Sequence, residues 1–175
     1  MGRDKALVEV EGRPLVLRVA ERVSEAADPV FLAPGEPGRL GDLGYPEVAD
    51  TAPGAGPLAG MAAALRASPH ALVAVVAVDL PFASPRLLRM LAGAIGDADA
   101  LVPVADRGVQ PLHAVYRTRC LPAVEESVAR GRLAVRALLD RLDVRLVQED
   151  EWRRADPEGR FALNLNRAED LALLH

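Results

Sequence analysis

Apolar residues recur in this chain with two spacings, and the alternation between them predicts its architecture. Leu15, Val19 and Val23 stand four residues apart, the repeat of one helix face. Pro14, just ahead of them, suits the first helical position, where a missing N–H costs nothing. A second helix is predicted from Leu58 through the alanine-rich stretch 60–67, ended by Ser68-Pro69. Short valine-bearing pieces at 6–10, 29–33 and 47–50 read as strands. The longest apolar run, residues 71–78, is bounded by Pro69 and Pro81. Such a run suits a strand covered on both faces in a parallel sheet. Ser84-Pro85 combines an N-cap with a proline at the first helical position and opens a helix over 87–95.

The second half continues the alternation. Residues 99–104 and 110–117 read as an antiparallel pair around a turn at 105–108, and helices follow over 121–130 and 133–142. Further strands are predicted at 144–148 and 162–165, and a last helix at 167–174. Alternating strands and helices predict a three-layer α/β sandwich, Rossmann-like, with a mostly parallel sheet. A length of 175 residues fits a single domain, 1–175.

Composition narrows the partners. Half the residues are hydrophobic but 3% are aromatic, so the core is aliphatic. The net charge is −4, with no basic cluster to hold a nucleic-acid backbone. The lone Cys120 leaves no internal disulfide and suits a reducing cytoplasm. The run 71–78 is far too short to cross a bilayer, and the N-terminal residues carry no apolar segment of a secretion signal. A soluble, cytoplasmic protein that binds neither nucleic acid nor membrane is expected.

Rarity then singles out residues. Lysine and arginine total 21, and Lys5 is the only lysine. Asn164 and Asn166 are the only asparagines. The rarity has two readings, a composition bias away from lysine and asparagine that spared these three positions, or chance. Asp79 ends the apolar run, at the strand end beyond which ligands bind in open α/β sheets. Two readings stand for it, a cap or a contact to metal or phosphate; Ser84-Pro85 already supplies the next cap. Asp50 ends another predicted strand, either as an ordinary turn former or as a ligand contact. Glycines at 54, 56 and 60 have the wrong spacing for a dinucleotide fingerprint, and Pro57 interrupts it. They permit either tight turning or close backbone approach to a base or ribose. Asn164 and Asn166, two apart in an extended segment, point the same way. Asn166 with Glu169 also fits the N-cap of the last helix. His113 reads as a half-buried strand residue, and no His/Cys cluster or Ser/Cys nucleophile motif appears. Lys, Asp and Asn remain, a set that suits phosphates handled with a divalent cation.

Taken together, these residues resemble the molybdenum cofactor guanylyltransferase family of nucleotidyltransferases. Met1-Gly2-Arg3-Asp4-Lys5 is similar to the second half of that family's N-terminal signature, and Gly12-Arg13-Pro14-Leu15 to the segment that follows it. Gly56-Pro57-Leu58-Ala59-Gly60, Asp79-Leu80-Pro81-Phe82, Gln110-Pro111-Leu112 and Asn164-Leu165-Asn166 with Glu169-Asp170-Leu171 complete the pattern. The resemblance implies a nucleotide-diphospho-sugar transferase type of fold and transfer of GMP from GTP to molybdopterin cofactor. It implies magnesium at Asp79, phosphate contacts from Lys5, guanosine contact at Asp50, and acceptor contacts from Asn164 and Asn166. Cofactor-delivery proteins and molybdoenzymes are the implied protein partners. Cytidylyl transfer to the same pterin, another small nucleotidyl transfer, or a non-catalytic nucleotide-binding protein are the competing expectations.

The match begins inside the signature, so the family's first strand and its Gly-Gly phosphate loop are not among these 175 residues. A natural protein roughly 15–20 residues longer is therefore expected. Weak GTP binding by the 175-residue chain is expected too, with unpaired ladder groups where the strand would lie.

Overall fold

The computed structural model describes residues 4–10, 12–50, 52 and 54–165. A 3₁₀ turn, Lys5–Leu7, leads into a small hairpin of β1 (Glu9–Val10) and β2 (Arg13–Pro14). The helices are α1 (Leu15–Ser24), α2 (Pro57–Ala67), α3 (Pro85–Ala94), α4 (Leu121–Ala129), α5 (Val135–Leu139) and α6 (Glu149–Trp152). The main sheet contains β3 (Leu72–Val76), β4 (Ala100–Ala105), β5 (Gly108–Val109), β6 (His113–Arg117) and β7 (Val144–Val147).

The sheet departs from the expected mostly parallel pairing. β6 lies between β3 and β4 and runs antiparallel to both, and β5 is antiparallel to β4. β7 alone pairs in parallel, also with β4. The cause is the turn after β4, which reverses the chain and returns it into the middle of the sheet. β3, β4 and β7 nevertheless share one direction, so their carboxyl ends gather on one edge.

Side chains alternate about that sheet, as the pleat requires. Val102, Ala114 and Tyr116 meet Leu58, Met61 and Leu65 of α2 and Val124 of α4. Leu101 and Val115 meet Leu87 and Leu91 of α3, Trp152 of α6, and Phe161. Helices therefore cover both faces, and the three-layer sandwich holds.

Several boundaries differ from expectation. Pro14 is the N-cap of α1 rather than its first residue, because it also closes the β1–β2 hairpin. Of the strand expected over 6–10 only Glu9–Val10 forms, as β1; Lys5–Leu7 is the 3₁₀ turn, where Asp4 Oδ1 accepts from the Ala6 N–H at 3.1 Å. The strands expected at 29–33 and 47–50 reduce to one parallel bridge, Leu32 to Glu47. Arg160–Ala162 is a 3₁₀ turn, not the start of a strand. α6 was not expected; Gln148 and Glu151 cap it reciprocally. Asn166 and the helix expected over 167–174 lie outside the described residues.

β3 is the main surprise. It is wholly apolar, yet all five of its residues are partly exposed. Among the described residues it pairs on one side only, with β6.

Candidate active site

Asp79 sits three residues beyond β3, at the carboxyl edge of the sheet, and its side chain remains 25% exposed. Its backbone is fixed from several directions. A turn joins the Leu80 N–H to the Ala77 carbonyl at 3.2 Å, and the Leu165 N–H donates to the Asp79 carbonyl at 2.9 Å. Downstream, Arg22 Nε of α1 donates to the Ala83 carbonyl at 2.6 Å. The Ser84 N–H donates to His113 Nε2 at 2.9 Å, and Ser84 Oγ caps α3 by accepting from the Leu87 N–H. None of these bonds uses the Asp79 carboxylate.

What that carboxylate meets is Lys5. Nζ lies 3.4 Å from Asp79 Oδ2, and the lysine side chain is 41% exposed. The 3₁₀ turn capped by Asp4 aims Lys5 there, and Arg39 Nη1 holds the second Asp4 oxygen at 3.0 Å. A pair this open and this long adds little to stability. It can therefore exchange partners with a ligand at small cost.

Asn164 precedes Leu165, the residue hooked to Asp79, so it lies on the same side of the molecule as the Lys5–Asp79 pair. Asp50 uses Oδ1 to accept the Ala52 N–H at 2.8 Å, the turn chemistry that competes with a ligand role. It also lines a cavity shared with Gly54, Gly56 and Val78. The glycine reading at 56 is supported by geometry: φ 61 and ψ −146 at the N-cap of α2 is a conformation essentially reserved for glycine. Gly60 packs so closely that an added methyl would stand 3.0 Å from Ala33 Cβ. Loop turning and close helix packing thus account for both glycines.

Among the described residues no three His, Cys, Asp or Glu side chains cluster to cage a metal. The donor set still fits magnesium, which keeps several waters and commonly takes one or two carboxylates together with substrate phosphates. Asp79 offers one such carboxylate, accessible and, among the described residues, held by the long contact to Lys5.

His113, read from sequence as half-buried, is fully buried. It faces Val76 across the β3–β6 pair and stacks on Phe161, ring centres 4.9 Å apart. As the acceptor of the Ser84 N–H, its Nε2 must carry no proton. Burial pushes its pKa down from 6.5 to about 4, and the Arg22 charge adds to the effect. Below 6.5 the unfolded chain binds a proton that the folded one refuses. Its contribution to stability is full above 6.5 and is lost as pH falls through about 4. The total is on the order of 3 kcal/mol. Urea unfolding at successive pH values should show this slope, and His113→Leu should flatten it. An unchanged slope would assign the acid sensitivity elsewhere.

Arg22 and Arg39 carry no signal in the sequence, and His113 reads there as a half-buried strand residue rather than as the buried acceptor it is. All three act on backbone or on another side chain across the fold, so no local spacing marks them.

Comparison with known proteins places this geometry. The structure of 2-C-methyl-D-erythritol 4-phosphate cytidylyltransferase from Thermus thermophilus matches with a TM-score of 0.62 at 25% identity, covering 97% of this chain and 91% of that one. The fold is thus that of the nucleotidyltransferases. Within that class, the chain belongs to the MobA-like NTP transferase domain family, whose model matches residues 1–154. The molybdenum cofactor guanylyltransferase of Desulfosudis oleivorans is 32% identical over 173 residues, 97% of this chain and 85% of that protein. A probable molybdenum cofactor guanylyltransferase of Pelotomaculum thermopropionicum is 36% identical over 98% of this chain and 83% of its own length. The crystal structure of molybdopterin-guanine dinucleotide biosynthesis protein A from Archaeoglobus fulgidus has a TM-score of 0.84 at 28% identity, covering 98% of this chain and 89% of that one.

Proposed function

We propose that this protein transfers GMP from GTP to molybdopterin cofactor, releasing pyrophosphate. The observation that carries the reading is the Lys5–Asp79 pair at the carboxyl edge of β3, in a chain whose relatives are named guanylyltransferases. An oxygen of the molybdopterin phosphate attacks the α-phosphorus of GTP. The bond from that phosphorus to the bridging oxygen breaks, and pyrophosphate leaves with the electron pair.

The nucleophile is already anionic, so no general base is required. What the reaction needs is alignment of two anions and relief of their repulsion. Lys5 supplies a compact ammonium to the nucleotide phosphates, a role the planar fork of arginine would fill differently. Asp79 holds magnesium, which neutralises phosphate charge when bound. Asp50 contacts the guanosine. Asn164 and Asn166 orient the acceptor.

The test is pyrophosphate release from GTP or CTP, at concentrations high enough to fill a weak site, with molybdopterin and magnesium. GTP-dependent release that requires the pterin is expected. Preference for CTP would move the assignment to cytidylyl transfer. Absence of turnover with either nucleotide would overturn the enzymatic reading.

A further inference from the structure

We propose that Arg39 is a positioning residue, which acts through Asp4 to hold the ammonium of Lys5 at the nucleotide phosphates. The phosphate end of this role rests on the reading of Lys5 given above, whereas the clamp is a matter of geometry. Lys5 opens the turn Lys5–Leu7, three residues long. The Leu7 N–H bonds to the Asp4 carbonyl at 2.9 Å and the Val8 N–H to the Lys5 carbonyl at 3.3 Å. Hydrogen bonds in such short 3₁₀ turns are poorly aligned and hold weakly. A flexible four-carbon stem then separates the backbone from the charge. The contact to Asp79, at 3.4 Å and partly exposed, is too loose to fix the ammonium. Its placement depends on what holds the turn.

Asp4 holds it with both carboxylate oxygens. Oδ1 accepts from the Ala6 N–H at 3.1 Å, and Oδ2 meets Arg39 Nη1 at 3.0 Å. The cap alone would leave the carboxylate free to rotate away; the guanidinium on the second oxygen fixes its plane. Leu40, next to Arg39, is buried in one cluster with Ala6, Val16 and Ala20. Arg39 and Leu40 therefore grip the turn from a single loop, one by charge and the other by packing.

That loop is braced in turn. The Gly38 N–H donates to Glu47 Oε2 at 2.8 Å, and Glu47 bridges to Leu32. The Arg39 N–H donates to the Glu36 carbonyl at 3.2 Å, and the Gly41 N–H to the Gly38 carbonyl at 3.1 Å. Gly38, with φ 72, turns the chain directly ahead of Arg39, a conformation that favours glycine. Arg39 thus reaches Asp4 from a fixed base.

The energetics separate this role from a structural one. The Arg39 and Asp4 side chains are 42% and 26% exposed, so their pair contributes little to the stability of the whole fold. Its loss leaves the core intact and loosens the turn. Phosphates that bind Lys5 must then reorder the turn themselves, so the cost falls on binding and not on the chemical step.

Lys5 is the only lysine, so lysine isotope-labelled at Cε gives one NMR signal that reports its side chain alone. In Arg39→Met that methylene should relax as a mobile group, with the urea midpoint unchanged. Amide exchange at Ala6 and Leu7 should quicken about two- to fivefold, the scale of a partly exposed ion pair, and stay unchanged in β4. Binding of magnesium pyrophosphate, measured by calorimetry, should weaken by the same factor. KM for GTP should rise likewise while kcat holds. Arg39→Lys, which keeps a cation on the same loop, should recover most of each change. In a Lys5→Met background Arg39→Met should alter pyrophosphate binding by less than about 1.5-fold, since the two residues act as one unit. An undiminished effect in that background would mean that the Arg39 charge draws the anion directly. Unchanged Cε relaxation and exchange would mean that the turn orders itself. A lower urea midpoint together with a lower kcat would make Arg39 merely structural. Each of these three results would overturn the proposal. The relaxation and exchange readouts involve no nucleotide, so failure of guanylyl transfer would leave them decisive for the clamp.

Discussion

Replacing Asp79 by Asn is expected to reduce pyrophosphate release by on the order of 10³-fold, the scale of losing one preorganised electrostatic contact at a reacting phosphate. Stability should change by no more than about 0.5 kcal/mol, the range of substitutions away from structural contacts. The separation follows from how Asp79 is held. Its carbonyl receives the Leu165 N–H, and its neighbours are fastened by Arg22 and His113, while among the described residues the carboxylate's partner is Lys5 at 3.4 Å. Asparagine has the same shape and leaves every backbone bond in place. It removes the negative charge that would hold magnesium in the proposed mechanism and that balances the ammonium. The loss should appear in kcat, with a reduced response to added magnesium. Turnover within a few-fold of the parent would take Asp79 out of the metal role and leave Lys5 with a merely structural partner.

The parts of this molecule that sequence made legible are those governed by local pattern. Ser84-Pro85 caps and starts α3 as its residue types require, and the β4–β6 pair falls where alternation places it. Asp79 stands out in sequence because an apolar run of that length must end at a sheet edge, and the edge is where the structure places it. Residues 29–33 and 47–50 have strand composition too, but a strand forms only where a partner supplies hydrogen bonds. Beside an open trough they retain a single bridge. His113 was undervalued for a related reason. Its significance lies in accepting from Ser84, 29 positions away, and no periodicity encodes that bond. The antiparallel β4–β6 pair is legible, but the place of β6 between β3 and β4 has no local signal, since strand order is set by packing across the whole sheet. Asn164 was selected by rarity, and its placement comes from the Leu165–Asp79 bond rather than from a strand.

Phe161→Ala is expected to destabilise the fold by about 3–5 kcal/mol, the usual result of emptying a buried phenyl site. That is a large share of the roughly 5–15 kcal/mol available to a domain of this size. Phe161 is fully buried and lies between two rings, His113 at 4.9 Å and Trp152 at 5.1 Å in an edge-to-face arrangement. Trp152 is itself anchored by donating from Nε1 to the Val104 carbonyl at 2.8 Å. The phenyl ring thus ties α6 and the 3₁₀ turn Arg160–Ala162 to β6 on one face of the sheet. Removing it leaves a cavity that Leu87, Leu91 and Val115 fill only in part, because the sheet and α3 fix their positions. The effect should reach the site, since residues 162–165 lead directly to the bond from the Leu165 N–H to Asp79. Trp152 is the only tryptophan, so its emission reports on this region without further labelling. A red shift in the folded state is expected, together with a lower urea midpoint and a lower kcat. Phe161→Leu should recover most of the stability, since the leucine side chain refills much of the volume. If Phe161→Ala lost less than about 1 kcal/mol, well below the usual range for such sites, the ring would not be the tie between α6 and the site that its contacts describe.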